Sequence, residues 1–538
     1  MTARPPDSEL AAQPQSAVAP TRPAPPGGAV DDVERPRHDR LGPRAAAVAT
    51  CVLVCVGALL RVYDFWTPEL WIDEYATRWV VADVTWGEAV RRAIHSHGQS
   101  PFYYVIVKLS CAFLGVSPFS LRLPSVLFGI GVLALAYPLA IRIFRQRGAA
   151  LCAVAIFAMN GTMIWYSQEA RPYALALFGV MLSFLSYVAL LEREAPTWRL
   201  AYVVSTAGVF YAHYVFSFIV LVQILHLCVA RGASWLRSKE WPLTFLSLLA
   251  LCAPGLPQLV SLFERRGTLN WLPPAGWLAP WLALARFLDI PTVVLVTLAV
   301  LLAGFSAQQF RSLLDRSRAS LLLAWFVVPI VALRVIPPLF GVSIFFWRYL
   351  VFALPAALLL TAWLMALARP ESRRRWIPLA TFLLMSLFWY LIPSLMNAGT
   401  FVRREGNGWS RAVLALERAA ETKDVILYSS GFVEADQLRL PDPDPLMVSF
   451  IECPVTANLS PGRKLNMIGL PFRINAQTRP YVSSVLARAA GARRVWVIGV
   501  GKPLVWAALV LVREASFRVV SDHLYGSVGL LLLEPQHP

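Results

Sequence analysis

The chain has 538 residues, 57% of them hydrophobic and only 15% charged, a balance that excludes an ordinary soluble domain. Its apolar runs of roughly 20 residues match a bilayer core about 30 Å thick. The net charge of +17 would suggest nucleic acid in a soluble protein. Here the arginines cluster in short loops between apolar runs, the positive-inside pattern, and no RNA- or DNA-binding motif is present, so nucleic-acid binding is the weaker reading.

Residues 1–44 are rich in Pro, Ala and charge and hold too few large apolar side chains to build a core, so the sequence predicts a disordered tail. That tail is too long and polar for a signal peptide, which makes Ala45–Val62 a retained helix. Arg35, Arg37, Arg40 and Arg44 ahead of it predict a cytoplasmic N-terminus.

Further candidate spans cover 119–141, 149–166, 172–191, 199–212, 214–230, 243–262, 290–307, 319–335, 348–368 and 376–396, giving about 11 spans. Alternate loops are basic: Arg142, Arg145 and Arg147; Arg193 and Arg199; Arg231, Arg237 and Lys239; Arg311, Arg316 and Arg318; Arg369, Arg373, Arg374 and Arg375. Those loops are expected in the cytoplasm. The same alternation puts five segments outside: the first loop (63–118) with Asp73 and Glu74, Ser167–Tyr173, Tyr211–Tyr214, Glu264–Trp277, and Arg334–Arg348. The segments either side of His213 are short for full spans and predict a helix pair broken near the outer surface, tolerated where backbone lines a cavity. Pro101–Gly115 reads as a juxtamembrane or re-entrant helix. Residues 276–289, with Trp277, Trp281, Arg286 and Asp289, read as an interfacial helix.

From about 398 to 538 the composition changes. Asp424–Tyr428, Arg494–Val500 and Val528–Leu533 read as strands alternating with helical stretches at 409–421 and 480–491. The expectation is a small C-terminal α/β domain on the extracytoplasmic side. Of seven cysteines, six fall in or beside apolar runs and Cys453 stands alone, so neither a disulfide framework nor a CxxC metal site is predicted.

Three features carry chemistry. Asp73 and Glu74 follow the first span among Trp66, Leu70, Trp71, Tyr75 and Trp79. A carboxylate at that boundary is partly desolvated, which raises its proton affinity and suits a general base; the bland alternative is a solvated loop pair. In Ser167–Tyr173, Pro172 forces Arg171 out of helical geometry, so one helix ends and another begins with Glu169 and Arg171 at the joint; a local salt bridge would explain these two equally. The outer loops also keep cations that positive-inside sorting would deplete: Arg78, Arg91, Arg92, His95, His97, Arg171, His213, Arg265, Arg266, Arg334 and Arg348. Arginine forms forked, charge-assisted bonds to phosphate, and lipid headgroups account for several of these, Arg91 and Arg92 first. His95 and His97 at i, i+2 are weak metal ligands, and the Asp442–Asp444 string among prolines reads as an extended turn.

Taken together, Trp71–Tyr75, Gln99–Tyr104, Leu121–Ser125, Tyr166–Tyr173, Tyr211–Tyr214 and Trp347–Tyr349 resemble the GT-C superfamily of polytopic glycosyltransferases, family 39 type. That group includes protein O-mannosyltransferases and lipid A aminoarabinose transferases. The resemblance covers roughly residues 45–400 and departs at Ser100, where the family often has a second proline, and at His213-Tyr214, where some members carry Lys-Gly. It implies an α-helical polytopic fold with a transmembrane catalytic domain over 45–397. It implies Asp73, with Glu74, as the catalytic carboxylates, and Tyr103, Glu169, Arg171, Tyr173, His213, Arg334 and Arg348 as substrate-binding residues. The implied donor is a sugar on a polyprenyl phosphate, the acceptor a lipid, glycan or protein hydroxyl outside the cell membrane, with inversion and with neither cofactor nor metal. A transporter or flippase of a lipid-linked glycan is the alternative; it predicts ionisable residues in mid-membrane, where these spans have few. A non-catalytic scaffold leaves the one-sided charged loops without a reason.

Overall fold

The computed structural model describes residues 41–95, 100–264, 276, 278–303, 317–342, 344–367, 377–388 and 408–536. The expectations for residues 1–40, His97, Arg265, Arg266, Trp277, the loops 304–316 and 368–376 and the boundary near 397 lie outside them. So do those for the side chains of His95 and Arg286.

The protein is mostly helical. Among the described residues, seven helices are long and apolar enough to cross a membrane: Pro43–Val62, Pro118–Phe144, Tyr173–Glu192, Tyr214–Arg231, Glu240–Glu264, Ser320–Leu339 and Trp347–Met365. A further pair, Arg147–Met159 and Gly161–Ser167, is long and apolar enough together but is bent by 59°, as a broken span or a re-entrant loop. The remaining predicted spans are occupied by shorter helices, Pro196–Ala212, Ile290–Ala303 and Ile377–Ser386. The juxtamembrane helix is Phe102–Leu114, with Phe102, Val105, Leu109, Phe113 and Leu114 exposed.

Two breaks have identifiable causes. Asn160 caps the Gly161–Ser167 helix by accepting from Met163 N at 2.9 Å. Its amide donates to Asp289 Oδ2 and Thr292 Oγ1, both at 3.0 Å, and the same Asp289 oxygen accepts from Gly161 N at 2.8 Å. The freed backbone of the bend is thus satisfied by a neighbouring helix, as a buried break requires. His213, with extended φ of −158°, separates Pro196–Ala212 from the 3-10 turn Tyr214–Ser217, where the sequence predicts a broken pair.

Charge divides the bundle by its ends. The central helix Tyr173–Glu192 carries Glu192 at one end, bonded to Arg142 at 2.6 Å, to Arg145, and to Arg318 at 3.3 Å. Arg231–Glu194 and Arg199–Glu240 pairs lie in the adjoining loops. Tyr173 is a 20-residue helix away, about 30 Å. Inside the bundle, Ser183, Thr206, Gln223, Tyr202, Tyr187 and His226 hydrogen-bond among themselves and so close a polar cluster between helices.

The C-terminal layer is a five-stranded sheet, β1 (Val425–Ser429), β2 (Asn466–Gly469), β3 (Val495–Gly499), β4 (Phe517–Tyr525) and β5 (Val528–Pro535), in the order β2-β1-β3-β5-β4. β1 runs parallel to β2 and β3, and β5 antiparallel to β3 and β4. Period-2 alternation splits the faces. Ile426, Tyr428, Trp496, Ile498, Leu530 and Leu532 belong to the same core as the helices, whereas Val425, Leu427, Val495, Val497 and Leu533 form a second core. Asp444 ends the proline string in non-helical backbone: its side chain accepts from Leu446 N at 3.0 Å and caps the helix Pro445–Thr456, with proline in the first helical position where no N–H is needed.

Candidate active site

The Ile72–Val81 helix begins at Trp71, and Glu74 closes a capping box by accepting from Trp71 N at 3.3 Å. That geometry turns Glu74 inward. Its carboxylate has no exposed surface: Arg122 meets it with two forked bonds, Nε to Oε1 at 2.7 Å and Nη2 to Oε2 at 2.6 Å, and Ala170 N donates to Oε1 at 2.8 Å. Arg122 also donates to the carbonyls of Phe65, Pro68 and Glu69. Thr77 Oγ1 donates to Ala170 O at 2.8 Å, so the helix grips both sides of one residue in the Ser167–Tyr173 turn. The expectation that Glu74 shares the reacting face is corrected by this enclosure: it braces the loop from behind.

Asp73, one residue earlier, points the other way and is partly exposed. Arg348 Nη1 donates to its Oδ2 at 2.5 Å, and the Arg348 guanidinium lies 4.3 Å over Trp71 and 5.2 Å over Trp347. Arg171 Nη1 donates to the Asp73 carbonyl at 3.3 Å. Glu169 is buried and within electrostatic reach of both Arg171 and Arg348. Tyr166 and Tyr173 meet edge to face at 4.8 Å, and Tyr173 lies 5.4 Å from the ring of His213. Tyr349 lies 5.7 Å from that ring. The structure therefore gathers Asp73, Glu169, Arg171, Tyr173, His213 and Arg348 at one end of the bundle.

Three expected residues differ. Tyr103 is fully buried with its hydroxyl 3.0 Å from Ser125 Oγ and is within electrostatic reach of Arg171, while its neighbour Tyr104 hydrogen-bonds the Arg171 side chain. Arg334 is half-buried in the helix Ser317–Leu339 and takes part in no ion pair among the described residues. His213 is not a cation: burial, then the charge of Arg171, push its imidazole down to about 3. Arg91 and Arg92 pair with Glu88, and Arg92 also donates to Trp79 O at 2.7 Å.

One residue at the site had no sequence signal. Glu434, from the C-terminal layer, is within electrostatic reach of Asp73 and Arg171. No motif surrounds it, and only the packing of the C-terminal layer on the Ile72–Val81 helix brings it there. Among the described residues no group of three or more His, Cys, Asp and Glu is placed to hold a metal ion.

A model of the dolichyl-phosphate-mannose-protein mannosyltransferase family matches residues 97–257. No curated protein matches the chain in sequence. Among solved structures, ArnT from Cupriavidus metallidurans in the apo state is similar at a TM-score of 0.55 and 13% identity, over 91% of this chain and 98% of that one. The same protein bound to undecaprenyl phosphate gives 0.53 and 11% over the same shares. Family match and fold agree with the resemblance drawn from the motifs: residues 97–257 are similar to that family, and the chain has an ArnT-like, mostly helical fold with a small C-terminal sheet layer.

Proposed function

We propose that this GT-C-type chain is a membrane glycosyltransferase that moves a hexosyl or pentosyl group from a polyprenyl-phosphate donor to an acceptor hydroxyl on the outer face of the cytoplasmic membrane. The observation that carries the reading is the pairing of Asp73 with Arg348 beside Arg171, a base and two phosphate-matching cations at one end of the bundle. Asp73 Oδ removes the acceptor proton as that oxygen attacks the anomeric carbon. The bond from that carbon to the phosphate oxygen breaks on the opposite side, which gives inversion. Phosphate leaves with the electron pair and needs no acid, but its charge must be met by preorganised donors, and Arg348 and Arg171 supply them. Tyr173 and the neutral His213 line the floor, Glu169 holds the two arginines in place, and Glu74 fixes the loop. Arg334 has no part in this assignment.

Several features support the lipid-linked donor and the orientation. The matching family is described by a dolichyl-phosphate sugar, and the similar ArnT structure was solved with undecaprenyl phosphate. The basic ends of the helices at Arg142, Arg145 and Arg318 fit the cytoplasmic side by the positive-inside rule, which turns Asp73 outward. On that reading 1–44 is a cytoplasmic tail, 45–397 the catalytic domain and 398–538 an extracytoplasmic layer. The acceptor is a lipid, glycan or protein. The test is Asp73→Asn: transfer should fall on the order of 10³-fold with undecaprenyl phosphate still bound, and retained turnover removes Asp73 from the mechanism.

A further inference from the structure

The C-terminal layer brings a carboxyl to the same end of the bundle. Glu434 lies in the first turn of the 3-10 helix Val433–Arg439, partly buried and within electrostatic reach of Asp73, Arg171 and Tyr349. A continuous run of packing fixes it there. Phe432 stacks on Phe450 at 4.4 Å, and Phe450 meets Trp79 at 5.2 Å. Trp79 Nε1 donates to Ser449 Oγ at 3.0 Å, and Asn458 Nδ2 donates to the Tyr75 hydroxyl at 2.8 Å. Trp79 and Tyr75 belong to the helix whose first turn presents Asp73, so residues 73 and 434 are carried by one packed unit.

A second carboxyl within electrostatic reach of the base, on an element packed against the helix that presents it, is the wrong group for phosphate, and Arg171 and Arg348 already mark the phosphate end. It suits a hydroxyl, because a carboxyl oxygen accepts from O–H and its protonated form also donates. Burial, reinforced by Asp73 and opposed by the Glu434 backbone N–H and Arg171, raises this carboxyl to about 7, so both forms are present near neutrality. A polyprenyl donor enters from the bilayer along the helices, whereas Glu434 comes from the sheet layer.

We propose that Glu434 is a specificity-determining residue that hydrogen-bonds a hydroxyl of the acceptor and so selects which acceptor oxygen meets Asp73. The assignment rests on Asp73 as the base. The experiment uses full-length wild type, Glu434→Gln and Glu434→Ala with a detergent extract of a gene-deletion strain, which holds both unused donor and unmodified acceptor. Undecaprenyl phosphate binding is measured separately. Glu434→Ala should raise the acceptor needed for half-maximal rate about tenfold, the worth of one hydrogen bond, and leave undecaprenyl phosphate affinity within about twofold. Glu434→Gln should keep most acceptor affinity but lose the change in rate near pH 7, with Asp73, Arg171 and Tyr349 still facing position 434. An unchanged acceptor dependence, or a loss confined to undecaprenyl phosphate binding, overturns the proposal. Should Glu434→Ala not fold, a wild-type pH profile in Glu434→Gln overturns it equally. Turnover retained by Asp73→Asn in the same extract sinks the base assignment instead, which separates the two failures.

Discussion

Arg348 holds Asp73 in a 2.5 Å ion pair while its guanidinium lies flat enough over Trp71 to approach the indole at 4.3 Å. The same guanidinium N–H groups that hold the carboxylate are the ones a phosphate would take. On the proposed reading, a donor phosphate competes for the same fork, and each N–H it takes leaves the Asp73 carboxylate freer to meet the acceptor hydroxyl.

That competition predicts the behaviour of Arg348. Arg348→Ala should weaken undecaprenyl phosphate binding by about tenfold or more, and Arg348→Lys should not restore it, because a lysine neither forks nor stacks on Trp71. Titrating fluorescent undecaprenyl phosphate against the purified variants decides it. Wild-type affinity in either variant would remove Arg348 from the phosphate site.

Glu74 predicts the opposite kind of loss. Its side chain and that of Arg122 are both fully buried, and removing one partner of such a pair leaves an uncompensated charge worth about 3–5 kcal/mol. Arg122→Ala should therefore unfold at a markedly lower temperature in detergent, and its residual activity should track the folded fraction. A Glu74→Gln protein that melts like wild type but has no turnover would return Glu74 to the catalytic group.

The contrast between these two adjacent carboxylates marks how far the sequence was legible. Loop charge alternation brought residues 73, 171, 213 and 348 to one end of the bundle, because hydropathy and arginine placement are properties of single segments. Side-chain direction is not such a property. Asp73 and Glu74 are equivalent in a string of letters and separate only once Trp71 begins a helix and the capping geometry turns residue 74 toward Arg122. His213 read as a cation because its ring contacts, Tyr173, Phe216 and Tyr349, lie on three different segments. Glu434 was invisible for the same reason, since its place depends on Trp79 packing against a helix, Pro445–Thr456, that was not among the predicted stretches.

Close helix contact supplies a third prediction. A Cβ added to Gly129, in the Pro118–Phe144 helix, would lie 2.1 Å from Ser167 Oγ and 3.1 Å from Ser167 Cα. Small residues at such crossings let helices approach, and Ser167 opens the turn that holds Ala170 and Arg171. Gly129→Ala should thus shift that turn and cut turnover strongly while the protein still inserts in membranes. Full activity in Gly129→Ala would show that the turn moves without consequence, and the bracing of the Ile72–Val81 helix through Ala170, Glu74 and Thr77 would lose its importance with it.

Acid supplies the last. Burial, then Arg171, hold the His213 imidazole at about 3 in the folded protein, against an ordinary value of 6.5. Between those two values the unfolded chain binds a proton that the folded one refuses, so stability falls as pH drops from 6.5 toward 3 and is fully present above 6.5. His213→Phe keeps an aromatic ring between Tyr173, Phe216 and Tyr349 but has nothing to titrate, and the His213 Nδ1 it removes has no hydrogen-bond partner among the described residues. Melting curves in detergent from pH 7 down to pH 4 should therefore converge: the wild type should lose more thermal stability over that interval than His213→Phe. Parallel losses in the two proteins would mean that residue 213 reaches solvent and carries its charge at no cost, and the neutral floor assigned to the cleft would have to be abandoned.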